Sequence, residues 1–379
     1  MVSTAGVALG VAALVVVMGV LSGLEEFIGT SVQAVDAPLA VVNPGGEVSS
    51  DSSFAEALEA LPQVRGAYPY IDGEAVVRMP SRNSEAGCLV RGITPGSFTA
   101  SGLDTMLIWG DPPSLSEEGL PGAVLGVYLS EDFMHSAGDT LLFFPPEAFF
   151  TGGRAGAGRA VLAGAIETGL PANDRRIAYL PIETASRMFM PGEGYTGYFI
   201  IPSSGYSLEE VTSAVAGVLP DSLEALTWQQ RNPALYASLE LERMGSFAAI
   251  LLITLVASFN ITGTISRTVV ERRRDVAVLK SMGAERKLIL KVFLWEGMLV
   301  GLTGAAAGIA LGLAGCWAIG STGLIQIPDV YSFHDSFPMK VSPPAVLAAG
   351  GAAVLISLLA AVIPAARAAS LDPVEGLRQ

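Results

Sequence analysis

Few residues in this 379-residue chain have the types and spacing that covalent chemistry needs. A phosphate-cradling loop requires a glycine directly before its lysine, in the pattern G-x-x-x-x-G-K-[ST]. The four lysines, Lys280, Lys287, Lys291 and Lys340, follow Leu, Arg, Leu and Met, so the chain does not hold ATP in that way. No G-x-S-x-G nucleophile elbow and no H-E-x-x-H metal helix occurs. His135 and His334 have no Cys/His cluster around them, so no metal site is expected. Cys88 lies in a hydrophilic region and Cys316 in an apolar run, which makes a bridge between them implausible. The expected catalytic and metal sets are empty, and the chain is not expected to be an enzyme.

What remains is polar chemistry beside and inside apolar runs. Glu296 opens one such run and Asn260 sits within another. An acid in a membrane helix marks a functional site by default. Two readings of Glu296 stand: a place on a transport path, or a structural or docking role with Arg286, Lys287 or Lys291. Asn260, in ASFNITGTI, reads as a bridge between helices.

The richest stretch is Ser266 to Gly304. Eight basic residues (Arg267, Arg272, Arg273, Arg274, Lys280, Arg286, Lys287 and Lys291) stand against Glu271, Asp275 and Glu285 before Glu296, a net +5 in a chain of net charge −14. Lys and Arg near helix ends set orientation, which puts this loop on the cytoplasmic side. Val276, Leu279 and Met282 recur at i, i+3 and i+6, and Gly283 follows as a helix stop. The pattern predicts a short helix with an apolar stripe ringed by charge, on which a cytoplasmic protein docks.

The elements that position this loop follow from composition. The chain is 51% apolar and 15% charged with a mean hydropathy of +0.50. Ordinary soluble domains carry roughly a quarter charged residues, so part of the chain lives in lipid. Gly6 to Leu24 is uncharged and spans about 30 Å as a helix. A cleaved signal peptide would want a positive n-region and a shorter core, so a retained membrane helix is expected. Gly245–Ile265, Val292–Ile319 and Ala345–Ala366 are three further spans. Between the first two spans, Glu25 to Arg243 carries 28 acidic and 11 basic residues. Such asymmetry fits two aqueous compartments and leaves no basic face for nucleic acid. Both termini are then cytoplasmic. Almost nothing precedes the first span on that side, which points to a truncated or misassigned start.

The 25–243 region mixes strand runs (Leu39–Val42, Ala75–Met79, Cys88–Ile93, Thr140–Phe144, Ala160–Ala165, Tyr198–Ile201) with helices over Ser53–Ala60 and Ser207–Val218. The expected fold class is an α-helical membrane protein with four transmembrane helices and a large extracytoplasmic α+β domain. The order of strands and helices suggests an α+β lobe interrupted by a β-rich insertion at about 95–191.

Several stretches resemble the lipoprotein-releasing permeases of the LolC/LolE type. They are STAGVALGVAALVVVMGVLSGLEE, ELERMGSFAAILLITLVASFNITGTI, VVERRRDVAVLKSMGAERKLILKVFLWEGMLVGLTGAAAGIALG, the IPDVYSFHDSFPMKVSPPAV loop and the PAARAASLDPVEGLR tail. The outer region also resembles theirs, in GDTLLFFPP, IETGLPANDRRIAYLP and TWQQRNPALYASLELE. Single pieces recur in MacB- and FtsX-type permeases; the D-V-Y loop tilts the resemblance to the lipoprotein branch. Phe337 and Met339 stand where that family has Leu and Val.

The resemblance implies a first transmembrane helix at 1–24, a periplasmic domain at 25–243 made of a porter-like lobe and the inserted β-rich lobe, and an FtsX-like permease domain at 244–379 with three helices. It places the coupling loop at 266–291, with Arg273, Asp275, Val276, Leu279, Lys280, Met282, Gly283 and Ala284 as ATPase-coupling residues. The implied partners are a cytoplasmic ABC ATPase that binds the ATP, a second permease (identical or paralogous), a lipoprotein substrate and a periplasmic carrier. No cofactor of its own is implied, and the location is the bacterial inner membrane. Two rivals are a MacB-like efflux permease and an FtsX-like activator of a cell-wall hydrolase.

Overall fold

The computed structural model describes residues 2–49, 52–81, 84–115, 119–132, 137–146, 156–190, 194–322 and 339–370. The D-V-Y loop at Asp329 to Pro338, His135, His334 and the tail beyond Ser370 lie outside the described residues. In chain order, α1 (Val2–Asp36) leads to β1 (Leu39–Val42), β2 (Val48–Ser49), α2 (Ser52–Glu59), β3 (Val64–Met79) and β4 (Ser84–Ile93). There follow β5 (Leu107–Gly110), β6 (Gly122–Gly126), β7 (Thr140–Phe144), β8 (Gly158–Ile166), β9 (Ile177–Pro181), α3 (Ile182–Phe189), β10 (Gly194–Tyr195), β11 (Gly197–Pro202), α4 (Leu208–Ala216) and β12 (Glu224–Thr227). Four long or basic helices close the chain: α5 (Pro233–Glu271), α6 (Arg273–Ser281), α7 (Arg286–Thr322) and α8 (Pro343–Ala369). Isolated helical turns are left unlabelled.

Among the described residues, contacts divide the chain into two compact units, one over 28–236 and one over 2–27 with 237–322 and 339–370. In the α+β unit ten strands run in the order β12–β1–β11–β3–β4–β9–β6–β8–β5, with β7 against β3 and β8. Segment 95–191 supplies β5 to β9 and shares this sheet, through the parallel β4–β9 pair and the antiparallel β3–β7 pair. Alternation along β3 and β4 turns Val77, Val90 and their neighbours into a core with Leu125, Leu141, Phe143, Leu162 and Leu180. The expected helix at Ser207 starts on a capping box: Ser207 accepts from the Glu210 amide, and the Glu210 carboxylate accepts from the Ser207 amide at 2.7 Å.

In the helical unit, α7 meets α1 along a glycine ladder. A Cβ at Gly304, Gly308 or Gly312 would stand 2.6, 2.6 and 2.7 Å from the Cβ of Val7, Val11 and Val15 respectively. The four-residue spacing on both helices lets the backbones approach as small residues do between membrane helices. Arg243 donates from Nε to Glu25 at 2.8 Å, and Lys340 pairs with Glu26.

Among the described residues three helices are long and apolar enough to cross a membrane: Thr4–Asp36, Arg286–Ser321 and Pro343–Ala369. The expected span at Gly245–Ile265 falls inside α5, a continuous 39-residue helix. Both α1 and α5 outrun their apolar stretches. Buried Val32 and Val35 carry α1 on from Leu24 to Asp36, and Ala37 (φ +53) with Pro38 then ends it.

Candidate docking elbow and a buried arginine junction

In the helical unit, α5 stops at Glu271, whose carboxylate is held by Arg267 at 2.8 Å. Arg272 (φ −98, ψ 13) turns the chain into α6. The helix closes on a Schellman motif, with the Ala284 amide on the Leu279 carbonyl at 3.0 Å and the Gly283 amide on Lys280 at 3.1 Å. This requires Gly283 in the left-handed region, and its φ is +94.

The structure splits the expected Val276–Leu279–Met282 stripe. Val276 is 4% exposed, whereas Leu279 is 48% and Met282 80% exposed. At 100° per residue, positions i and i+6 stand about 120° apart, so these three residues share no narrow face. The true faces follow i, i+3, i+4 and i+7. Arg273, Val276, Ala277 and Lys280 turn inward; Asp275, Val278, Leu279 and Met282 turn outward. Lys280 reaches the Ala369 carbonyl at 3.0 Å, and Ala284 is half-buried. Leu288 at the start of α7 is also exposed, as are Arg272, Arg274, Arg286, Lys287 and Lys291 of the same basic stretch. An exposed apolar patch rimmed by charge marks an interaction site.

Glu296 is half-buried on α7, and among the described residues no ion pair joins it to Arg286, Lys287 or Lys291. The Asn260 side chain lies outside what is described. No group of His, Cys, Asp and Glu able to hold a metal occurs among the described residues.

The α+β unit holds a junction that the sequence reading passed over. Arg91 on β4 lies directly across from Asp72 on β3 and binds it with two bonds, Nε to Oδ1 at 2.7 Å and Nη2 to Oδ2 at 2.6 Å. Its Nη1 donates to the Val35 carbonyl at 2.6 Å and to Asp36 at 3.0 Å, at the C-terminal end of α1. Asp36 also accepts from Asn232 at 2.7 Å, one residue before α5, and its carbonyl accepts from Arg231. The guanidinium stands 5.2 Å from the Phe199 ring centre, and Phe199 stacks on Tyr70 at 3.8 Å. Burial alone would lower the Arg91 pKa; Asp72 and then Asp36 more than reverse this and raise it well above its ordinary value. A charge of this kind is retained in a core only with such partners. Opposite charges in two consecutive apolar strands, YIDGE and LVRGI, were the available signal.

One unit with three membrane-length helices, a glycine ladder and a charged elbow, and a second unit that is a large acidic α+β domain, make up an integral membrane protein. Residues 1–218 match the MacB-like periplasmic core domain family and residues 247–373 the FtsX-like permease C-terminal family. The chain therefore belongs to the FtsX/MacB-like permease family. It is similar over its whole length to permeases of the LolC/LolE type. It is 28% identical over 390 residues to the lipoprotein-releasing system transmembrane protein LolC of Xylella fastidiosa, covering 100% of this chain and 93% of that one. The corresponding LolE of Haemophilus influenzae is 26% identical over 399 residues, covering 99% and 93%. The macrolide export ATP-binding/permease protein MacB of Rhodospirillum rubrum is 24% identical over 391 residues, covering 98% of this chain but 56% of that protein.

Proposed function

We propose that this chain is the transmembrane permease subunit of an ABC transporter that releases lipoproteins from the bacterial inner membrane toward a periplasmic carrier. ATP is hydrolysed by a partner ATPase seated on the elbow, and Val278, Leu279 and Met282 form its apolar contact. In this reading α5 supplies a fourth membrane span, residues 25–243 stand in the periplasm, and a second permease, identical or paralogous, completes a two-fold machine. The observation that carries the reading is the end-to-end similarity to lipoprotein-releasing LolC and LolE. The energetics support a need for ATP: each CH₂ withdrawn from lipid costs about 0.8 kcal/mol, tens of kcal/mol for three acyl chains.

The similarity to MacB favours a second reading, an efflux permease driven by the same motion. Membrane fractionation after depletion separates the two. Lipoproteins destined for the outer membrane are expected to accumulate in the inner membrane. Normal sorting in a cell with no paralogue would leave the efflux reading in its place.

A further inference from the structure

The inward face of α6 does more than hide apolar atoms. Val276 shares one buried cluster with Val269 of α5, Ile289 and Phe293 of α7, and Ala361, Ala365, Ala368 and Ala369 of α8, and Ala277 is 1% exposed. At the end of this contact, Lys280 sets its ammonium on the carbonyl of Ala369, the last residue of α8, at 3.0 Å. A cation there meets the negative end of the helix dipole and fills a carbonyl that has no partner within its own helix. On the other side, α6 is set off from α5 by the break at Arg272 and from α7 by the left-handed Gly283. The helix is therefore broken from its neighbours in the chain at both ends, shares an apolar cluster with α5, α7 and α8, and is tied by Lys280 to the end of α8.

We infer that Lys280 is a positioning residue that fastens the docking helix α6 to the C-terminal end of α8, so that a push on the elbow is delivered into α8 as one rigid body. This rests on the docking reading for the source of the push, but the fastening itself does not.

The test places nitroxide labels at Ser281→Cys and Ser370→Cys in the full-length protein, where native Cys88 and Cys316 are buried. A narrow 281–370 distance is expected that does not change between nucleotide-free and ATP-bound complexes. Lys280→Met should broaden it and Lys280→Arg should restore it. In the reconstituted complex Lys280→Met should lower lipoprotein released per ATP hydrolysed by about tenfold, within the usual span of coupling energies, with recovery in Lys280→Arg. A wild-type distance that shifts with nucleotide overturns the inference, and so does a Lys280→Met distance as narrow as wild type. Both label measurements stand if the wild-type complex releases no lipoprotein, a result that would remove only the functional reading.

Discussion

The Cβ that Gly308 lacks would stand 2.6 Å from the Cβ of Val11, so α7 approaches α1 at a distance open only to glycine. Gly308→Leu should cost roughly 1–3 kcal/mol through overpacking. Gly351 on α8 faces open space, and Gly351→Leu should leave stability within about 0.5 kcal/mol. The thermal midpoint of the purified protein in lipid nanodiscs reads both. Equal midpoints would show that the ladder is not a tight contact.

Arg91 bridges Asp36 and Asp72 at distances of 2.6 to 3.0 Å, and Arg231 stands 3.6 Å from the Asp36 carboxylate. Arg91→Met leaves half-buried Asp72 without its two-pronged partner while Asp36 keeps Arg231 and Asn232, so the cost should fall at or below the low end of the roughly 3–5 kcal/mol for breaking a fully buried pair. Arg91→Lys should be intermediate, since an ammonium cannot make the two-pronged contact with Asp72. Chemical denaturation of the full-length protein should rank wild type above Lys and Lys above Met. A Met variant as stable as wild type would contradict the role given to the junction.

The two faces of α6 predict opposite consequences for similar substitutions. Leu279→Asp and Met282→Asp put charge on the exposed face, and should weaken ATPase association while folding and insertion stay normal. Val276→Asp puts a carboxylate into a buried apolar cluster and should lower stability itself. Pull-down of the ATPase together with thermal melting separates these outcomes. Normal binding by both outer variants would remove the elbow as the docking site.

Buried Asp174 accepts from the Thr168 amide at 3.0 Å and from its hydroxyl at 2.7 Å. Burial nevertheless pushes its pKa up from 3.8 to about 6, and Glu167 adds to the rise. The folded state thus binds this proton more tightly than the unfolded chain. Its stabilisation is fully present below pH 3.8 and is lost as pH rises through about 6. Acidifying from pH 7.5 to 5.5 should raise the melting midpoint by roughly 2–4 °C more in wild type than in Asp174→Asn. An equal response in the two proteins would contradict this assignment.

Much of the fold was legible because its signals are local. β1 and β7 fall on the apolar runs Leu39–Val42 and Thr140–Phe144, and the Ser207 cap starts α4. The helix at Arg273–Ser281 and its stop at Gly283 were legible for the same reason. Its rotation was not, because a nine-residue helix fixes its inward face only against a partner, here the alanines of α8. The ends of α1 and α5 were also missed. Hydropathy marks where a helix is greasy, and tertiary contacts at Val32 and Val35 decide how far it runs. The Arg91 junction depends on a hairpin register that sets residue 72 against 91, together with residues 36 and 232 from distant parts of the sequence.

The most direct test of the functional account is release from reconstituted vesicles. The complex of this permease with its ATPase is supplied with a triacylated lipoprotein, a soluble periplasmic carrier, and ATP or a non-hydrolysable analogue. The account predicts transfer to the carrier only with hydrolysable ATP, and none for the same lipoprotein lacking its acyl chains. Equal ATP-driven release of acylated and unacylated cargo, or release without hydrolysis, would contradict it.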